Sequence, residues 1–78
     1  MTLTSEKEFS RKLGYVLKET RKAKKMKQPE VAKKLNVTKV TVSRWEKGDR
    51  NMSAKSLKEY CDVLGVSVQS VIDRTDEV

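Results

Sequence analysis

The sequence predicts an all-α domain of five short helices. Apolar residues recur at helical spacing along the chain. Residues that start helices (Ser, Thr, Pro) and residues that stop them (Asn, Gly) alternate between those apolar stripes. One stretch, QPEVAKKLNVTKVTVSRWEKG at residues 28–48, reads as two short helices joined by a tight turn, a helix-turn-helix pattern.

The first helix is expected from near Ser5 to about Lys25. Ser5 followed by Glu8 makes a capping-box pattern, and Phe9, Leu13, Val16, Leu17 and Thr20 form a stripe for burial. Lys18, Lys22 and Lys25 fall on another face and read as solvated surface. Gly14 weakens such a helix by roughly 1 kcal/mol relative to Ala, which a close helix–helix contact would explain. The second helix starts around Gln28, with Pro29 suited to the first helical position and Val31, Ala32 and Leu35 facing inward. Asn36 ends it, because Asn tolerates the left-handed region that the turn needs. Thr38 is the expected N-cap of the third helix and Gly48 its terminator, with Val37, Val42 and Trp45 facing inward. Thr41, Ser43 and Arg44 remain outside, with Lys39 and Val40 at the start of the helix. An exposed valine there is odd for a purely structural element and suits contact with a thymine methyl. Ser53 caps a fourth helix carrying Leu57, Tyr60, Cys61 and Leu64, which Gly65 ends. Ser67 caps a last helix carrying Val68, Val71 and Ile72. A single domain over 1–78 is expected, with its core in about 5–73 and a frayed polar tail at 74–78.

Composition removes several kinds of chemistry. The chain has 78 residues, one cysteine and no histidine. A zinc finger lacks its ligands, a Ser-His or Cys-His hydrolase lacks its base, and no cofactor or metal is expected. Cys61 sits on an apolar stripe and reads as core rather than as a redox sensor. No apolar run approaches a membrane span, the N-terminus lacks a signal-peptide core, and a cytoplasmic, DNA-associated protein is expected. Residues 11–50 hold 14 Lys or Arg against 4 acidic residues, a net +10, while the rest of the chain nets −3. That concentration of charge suits a polyanionic partner, although a solvated lysine-rich surface would carry the same charge.

From Leu13 to Ile72 the chain resembles the Cro/repressor-type (XRE-like) helix-turn-helix family. The resemblance rests on ordered features: Gln28 opening helix 2, Ala32 at the helix crossing, and Val42 in the core of helix 3. It continues with Ser43-Arg44-Trp45-Glu46-Lys47-Gly48, Arg50-Asn51-Met52-Ser53, Leu57 through Cys61, and Leu64-Gly65-Val66-Ser67. Asn36 stands where Gly is usual, Trp45 where Leu or Ile is usual, and Met52 where Pro is usual.

The resemblance implies a compact five-helix, lambda-repressor-like DNA-binding domain acting on double-stranded DNA. It implies base contacts by Lys39, Val40 and Arg44, with Thr38, Thr41 and Ser43 beside them. Arg44 is the first choice for guanine, the alternative being a surface ion pair with Glu46 or Asp49. Lys39 serves a base or a phosphate. Gln28 holds a phosphate or caps helix 2, and Lys27, Lys47, Arg50 and Asn51 are phosphate contacts or ordinary surface. Arg21 and Glu46 are implied as an ion pair that orients helix 3 and leaves Arg21 near a phosphate. Family members usually pair through the last helix, which implies a homodimer through Val68, Val71 and Ile72, with Leu3 a weaker candidate, on an inverted-repeat operator. Repression is favoured over activation, because Lys33 and Lys34 stand where activators present acids. An antitoxin, which would add a toxin partner, and a protein-interaction module are the rival readings; an enzyme is not expected.

Overall fold

The computed structural model describes residues 5–78, which form α1 (Glu6–Ala23), α2 (Gln28–Leu35), α3 (Lys39–Lys47), α4 (Ala54–Leu64) and α5 (Val68–Glu77). No strand occurs among the described residues. The all-α, five-helix expectation is met, and the boundaries follow from local chemistry. The hydroxyls of Ser5, Thr38, Ser53 and Ser67 each accept the backbone N–H three residues on, at 3.1 Å. Each satisfies one of the donors that a helix start leaves without a partner. Only half of the capping box at Ser5 forms, since Glu8 pairs forward with Lys12 at 3.5 Å. Helix α2 has no side-chain cap; Lys27 occupies that position, so Gln28 is the first helical residue and not a cap.

Two ends differ from expectation. Helix α1 stops at Ala23, because Lys25 turns left-handed at φ 58° and Met26 N–H bonds back to the Arg21 carbonyl. Helix α5 does not fray after residue 73 but continues to Glu77. Thr75 is buried and donates its hydroxyl to the Val71 carbonyl, while Arg74 Nη1 donates to Thr20 Oγ1 of α1 at 2.8 Å. A polar tail is thus tied into the domain by hydrogen bonds that its composition does not announce.

Helix α1 packs against α3, α4 and α5, and α2 packs against α3 and α4. The core they enclose contains Val16, Leu17, Val31, Val42, Tyr60, Cys61 and Val71, all essentially inaccessible. Trp45 lies beside Tyr60 with ring centroids 6.3 Å apart, in a tilted pair. Burial pushes the Cys61 thiol above its ordinary pKa, with Asp62 adding to the shift, as suits a packing residue.

The crossing of α1 and α3 accounts for Gly14. A Cβ there would fall 2.6 Å from the carbonyl oxygen of Glu46 and would also strike that of Trp45. Those are backbone atoms of the recognition helix and cannot swing aside. Helix propensity alone favours Gly14→Ala by about 1 kcal/mol, but overpacking costs about 1–3 kcal/mol. Gly14→Ala is therefore expected to lower the melting temperature. A higher melting temperature would mean that α1 and α3 are less closely apposed than this.

Candidate nucleic-acid interface

Helix α3 presents two unlike faces. Its inner face carries Val42, Trp45 and Glu46, all buried. Its outer face carries Lys39, Val40, Arg44 and Lys47, all exposed, with Ser43 half-buried between them. Together with Asp49 these outer residues line a shallow depression of about 360 Å³. Val40 is 57 % exposed, which only Tyr15 and Val78 approach among large apolar residues described. Lys39, Arg44 and Lys47 make no ion pair among the described residues. The intramolecular alternative for Arg44 does not form: Glu46 points the other way, and Asp49 bonds to Arg44 only through its backbone. Thr38 and Thr41 are placed differently from their neighbours. Their hydroxyls are 3.0 Å apart and engaged in the cap of α3, leaving mainly methyl groups to offer a base.

Beneath this face lies a polar network that anchors the helix. Arg21 Nε and Nη2 bind the two carboxylate oxygens of Glu46 at 2.8 and 3.0 Å, a forked pair between α1 and α3. Gln28 Nε2 donates to Glu46 Oε1 at 2.9 Å, and the Tyr60 hydroxyl donates to Glu46 Oε2. One carboxylate thus ties four helices together, and no buried side-chain nitrogen or oxygen among the described residues lacks a partner. Burial raises the pKa of Glu46, but hydrogen bonds from Arg21, Tyr60 and Gln28 outweigh it, so the carboxyl sits below its ordinary value. The hydrogen bond to Glu46 pushes the Arg21 guanidinium up against the opposing effect of burial. Burial, then Glu46, pushes the Tyr60 hydroxyl far above its ordinary range, so it remains a donor.

The geometry revises several expected roles. Arg21 was a candidate phosphate contact, but its side chain is 8 % exposed and its nitrogens also serve the Met26 carbonyl, at 2.8 Å. It is a strut, not a surface cation. Gln28 is half-buried and turned toward Glu46, which leaves the second hydrogen of its amide nitrogen for any phosphate. Asn51 is held to α1, donating to Glu6 Oε1 at 2.6 Å and accepting from Ser10, so it ties the loop after α3 in place. Lys27, Lys47 and Arg50 are exposed. Val71 was expected at a dimer surface but is 1 % exposed within its own core, because α5 turns the line through Val71 and Thr75 onto α1 and α4. Val68 and Ile72 are half-buried at the core margin. Leu3 lies outside the described residues.

Tyr60 is the functional residue that sequence reasoning read only as core. A tyrosine in a stripe otherwise made of Leu and Cys carries a hydroxyl that needs a buried partner, and that was the available signal. No helix among the described residues is long and apolar enough to cross a membrane. None of their His, Cys, Asp and Glu side chains group in threes to hold a metal ion.

Comparison with known proteins follows the same lines. The Helix-turn-helix family profile matches residues 17–71, more than half of the chain. No curated protein sequence matches. The clp gene regulator ClgR of Corynebacterium glutamicum superposes with a TM-score of 0.87 at 28 % identity, over 88 % of this chain and 73 % of that one. A mutant of the restriction-modification controller protein C.Esp1396I superposes with a TM-score of 0.81 at 29 % identity, over 88 % of this chain and 92 % of that one. Apo-HppE matches at a TM-score of 0.74 and 30 % identity, but only over 35 % of its own length, so that likeness concerns one helical region of a longer chain. With its anchored inner face and free outer face on α3, this chain belongs to the Cro/repressor-type (XRE-like) helix-turn-helix family of DNA-binding transcriptional regulators.

Proposed function

We propose that the chain binds duplex DNA sequence-specifically as a homodimer and represses transcription from an inverted-repeat operator. The observation that carries this reading is the outer face of α3. Lys39, Val40, Arg44 and Lys47 are exposed together, while Glu46 pins the same helix from beneath. A helix so presented fits a major groove, with Arg44 forked onto a guanine, Val40 against a thymine methyl, and Ser43 beside them. Lys39 lies at the start of the helix, within reach of base or phosphate. Lys27, Lys47 and Arg50 supply backbone contacts, and Gln28 and Asn51 chiefly hold the elements that carry them.

Dimerisation is assigned to the outer side of α5, through Val68 and Ile72 and without Val71. Two recognition helices then meet successive major grooves about 34 Å apart. Repression is favoured by the exposed lysines Lys33 and Lys34 on α2, a poor surface for recruiting a basic partner. The regulators among the structural neighbours, ClgR and C.Esp1396I, support regulation in general. The role is one of binding rather than catalysis, since the chain has no histidine and its single thiol is buried.

Selection from random duplex DNA, then titration of the winning sequence at two salt concentrations, tests the reading. An inverted repeat with half-sites about one helical turn apart, bound with a steep salt dependence, is the expected outcome. Enrichment of no sequence would overturn it and point to a protein as the partner of α3.

A further inference from the structure

Four helices of this chain end in the same way. After α1, α2, α3 and α4 a residue enters the left-handed region, and the amide after it bonds back five residues. At three of these ends the left-handed residue is Asn36, Gly48 or Gly65, types that suit that conformation. At the end of α1 it is Lys25, with φ 58°. A lysine there is strained relative to glycine, and nothing in the fold asks for it. Its side chain is exposed and makes no hydrogen bond or ion pair among the described residues.

The surroundings supply a reason. Lys24, Lys25 and Lys27 are three exposed cations within four residues, immediately before Gln28. The turn that carries them is rigid: Met26 N–H bonds to the Arg21 carbonyl at 3.1 Å, and Arg21 Nη1 returns a bond to the Met26 carbonyl at 2.8 Å. The same Arg21 grips Glu46 on α3, and Gln28 grips it from the other side of the turn. One guanidinium therefore sets the basic turn and the recognition helix in a common frame. A left-handed residue also throws its side chain away from the helix that it terminates, clear of the stripe formed by Lys18 and Lys22.

We propose that the Lys24–Lys27 turn is a clamp for the phosphate backbone of the bound duplex, with Lys25 as its principal contact and Arg21 as the residue that holds it in register with α3. This rests on the reading of the chain as a duplex-DNA binder and extends its contact surface to a residue whose place in the helical pattern suggested idle surface. A rigid cation aligned with the groove helix loses little freedom on contact and releases a counterion from the DNA.

Lys25→Gly and Lys25→Asn both remove the charge and suit the left-handed turn. Each is expected to raise the melting temperature while weakening binding to the selected duplex about fivefold at ~0.15 M salt, with the salt slope shallower by about 0.9. The selected sequence should stay the same, and Lys25→Arg should bind as the parent does. Lys58→Gln on α4, equal in charge change, should leave affinity within about twofold. Parental affinity and slope in both neutral Lys25 variants would overturn the proposal, as would an equal loss in Lys58→Gln. Failure of the parent chain to select any DNA sequence would instead sink the reading on which it rests.

Discussion

Glu46→Ala is expected to melt far below the parent protein, and Asp49→Ala beside it. The two acids stand three residues apart at the end of the same helix, yet their surroundings differ completely. Glu46 is buried and accepts hydrogen bonds from Arg21, Gln28 and Tyr60. Removing it leaves a guanidinium, an amide and a phenol facing one another without an acceptor, and the first is a charge only 8 % exposed. Breaking a buried pair in this way costs about 3–5 kcal/mol, a large share of what a small domain possesses. At 4–8 °C per kcal/mol, the melting temperature should drop by roughly 15 °C or more. Asp49 is exposed and makes no ion pair among the described residues, so its loss should stay within about 0.5 kcal/mol. Equal melting temperatures for the two variants would show that the network contributes nothing beyond surface charge.

The same network sets the response to acid. Because folding lowers the Glu46 pKa, the stability it contributes is complete above the ordinary carboxylate value near 4.5 and is lost as pH falls through the lower folded-state value. The parent protein should therefore lose melting temperature below about pH 4.5 more steeply than a Glu46→Gln variant, which starts lower and has no charge to lose there. Thermal melts across the acid range separate the two curves; parallel curves would place the acid sensitivity in other carboxylates.

Helix ends were legible in the sequence because they are decided within four residues. Ser5, Thr38, Ser53 and Ser67 bond to amides three positions away, and Asn36, Gly48 and Gly65 suit the backbone where they stand, so no knowledge of packing is needed to place them. The outer face of α3 was legible for a similar reason, since helical periodicity separates Val42 and Trp45 from Val40 and Arg44. What escaped depends on how helices dock. Tyr60 meets Glu46 across fourteen residues only because α4 lies against the base of α3. Val71 looks like any apolar residue of a last helix until the docking of α5 turns it inward, and Thr75 looks like tail until the same docking buries it. Lys25 escaped for the opposite reason: it goes against local preference, so no rule of propensity marks it. Arg21 was found through family resemblance, but its burial removes the second role that the resemblance suggested.

Arg44→Ala is expected to leave the fold intact and to abolish discrimination at one base pair of the operator. The side chain is exposed, has no ion-pair partner among the described residues, and lies one turn beyond Val40 on the face that Glu46 holds outward. Its loss should change stability by less than about 0.5 kcal/mol, so the melting temperature serves as an internal control. A forked arginine on a guanine contributes about 1–3 kcal/mol of discrimination, so affinity for the selected duplex should fall by roughly 5- to 150-fold. Affinity for a duplex substituted at that guanine should hardly change, and selection with the variant should return a site degenerate at that position in each half. Lys47→Ala provides the contrast. A lost phosphate contact weakens every duplex alike and makes the salt slope shallower by about 0.9, without altering the selected sequence. The two variants thus separate recognition from attraction on a single helix. If Arg44→Ala behaved as Lys47→Ala is expected to, uniform across sequences and visible chiefly in the salt slope, Arg44 would be a backbone contact. Specificity would then have to come from Lys39, Val40 and Ser43 at the opposite end of the same depression.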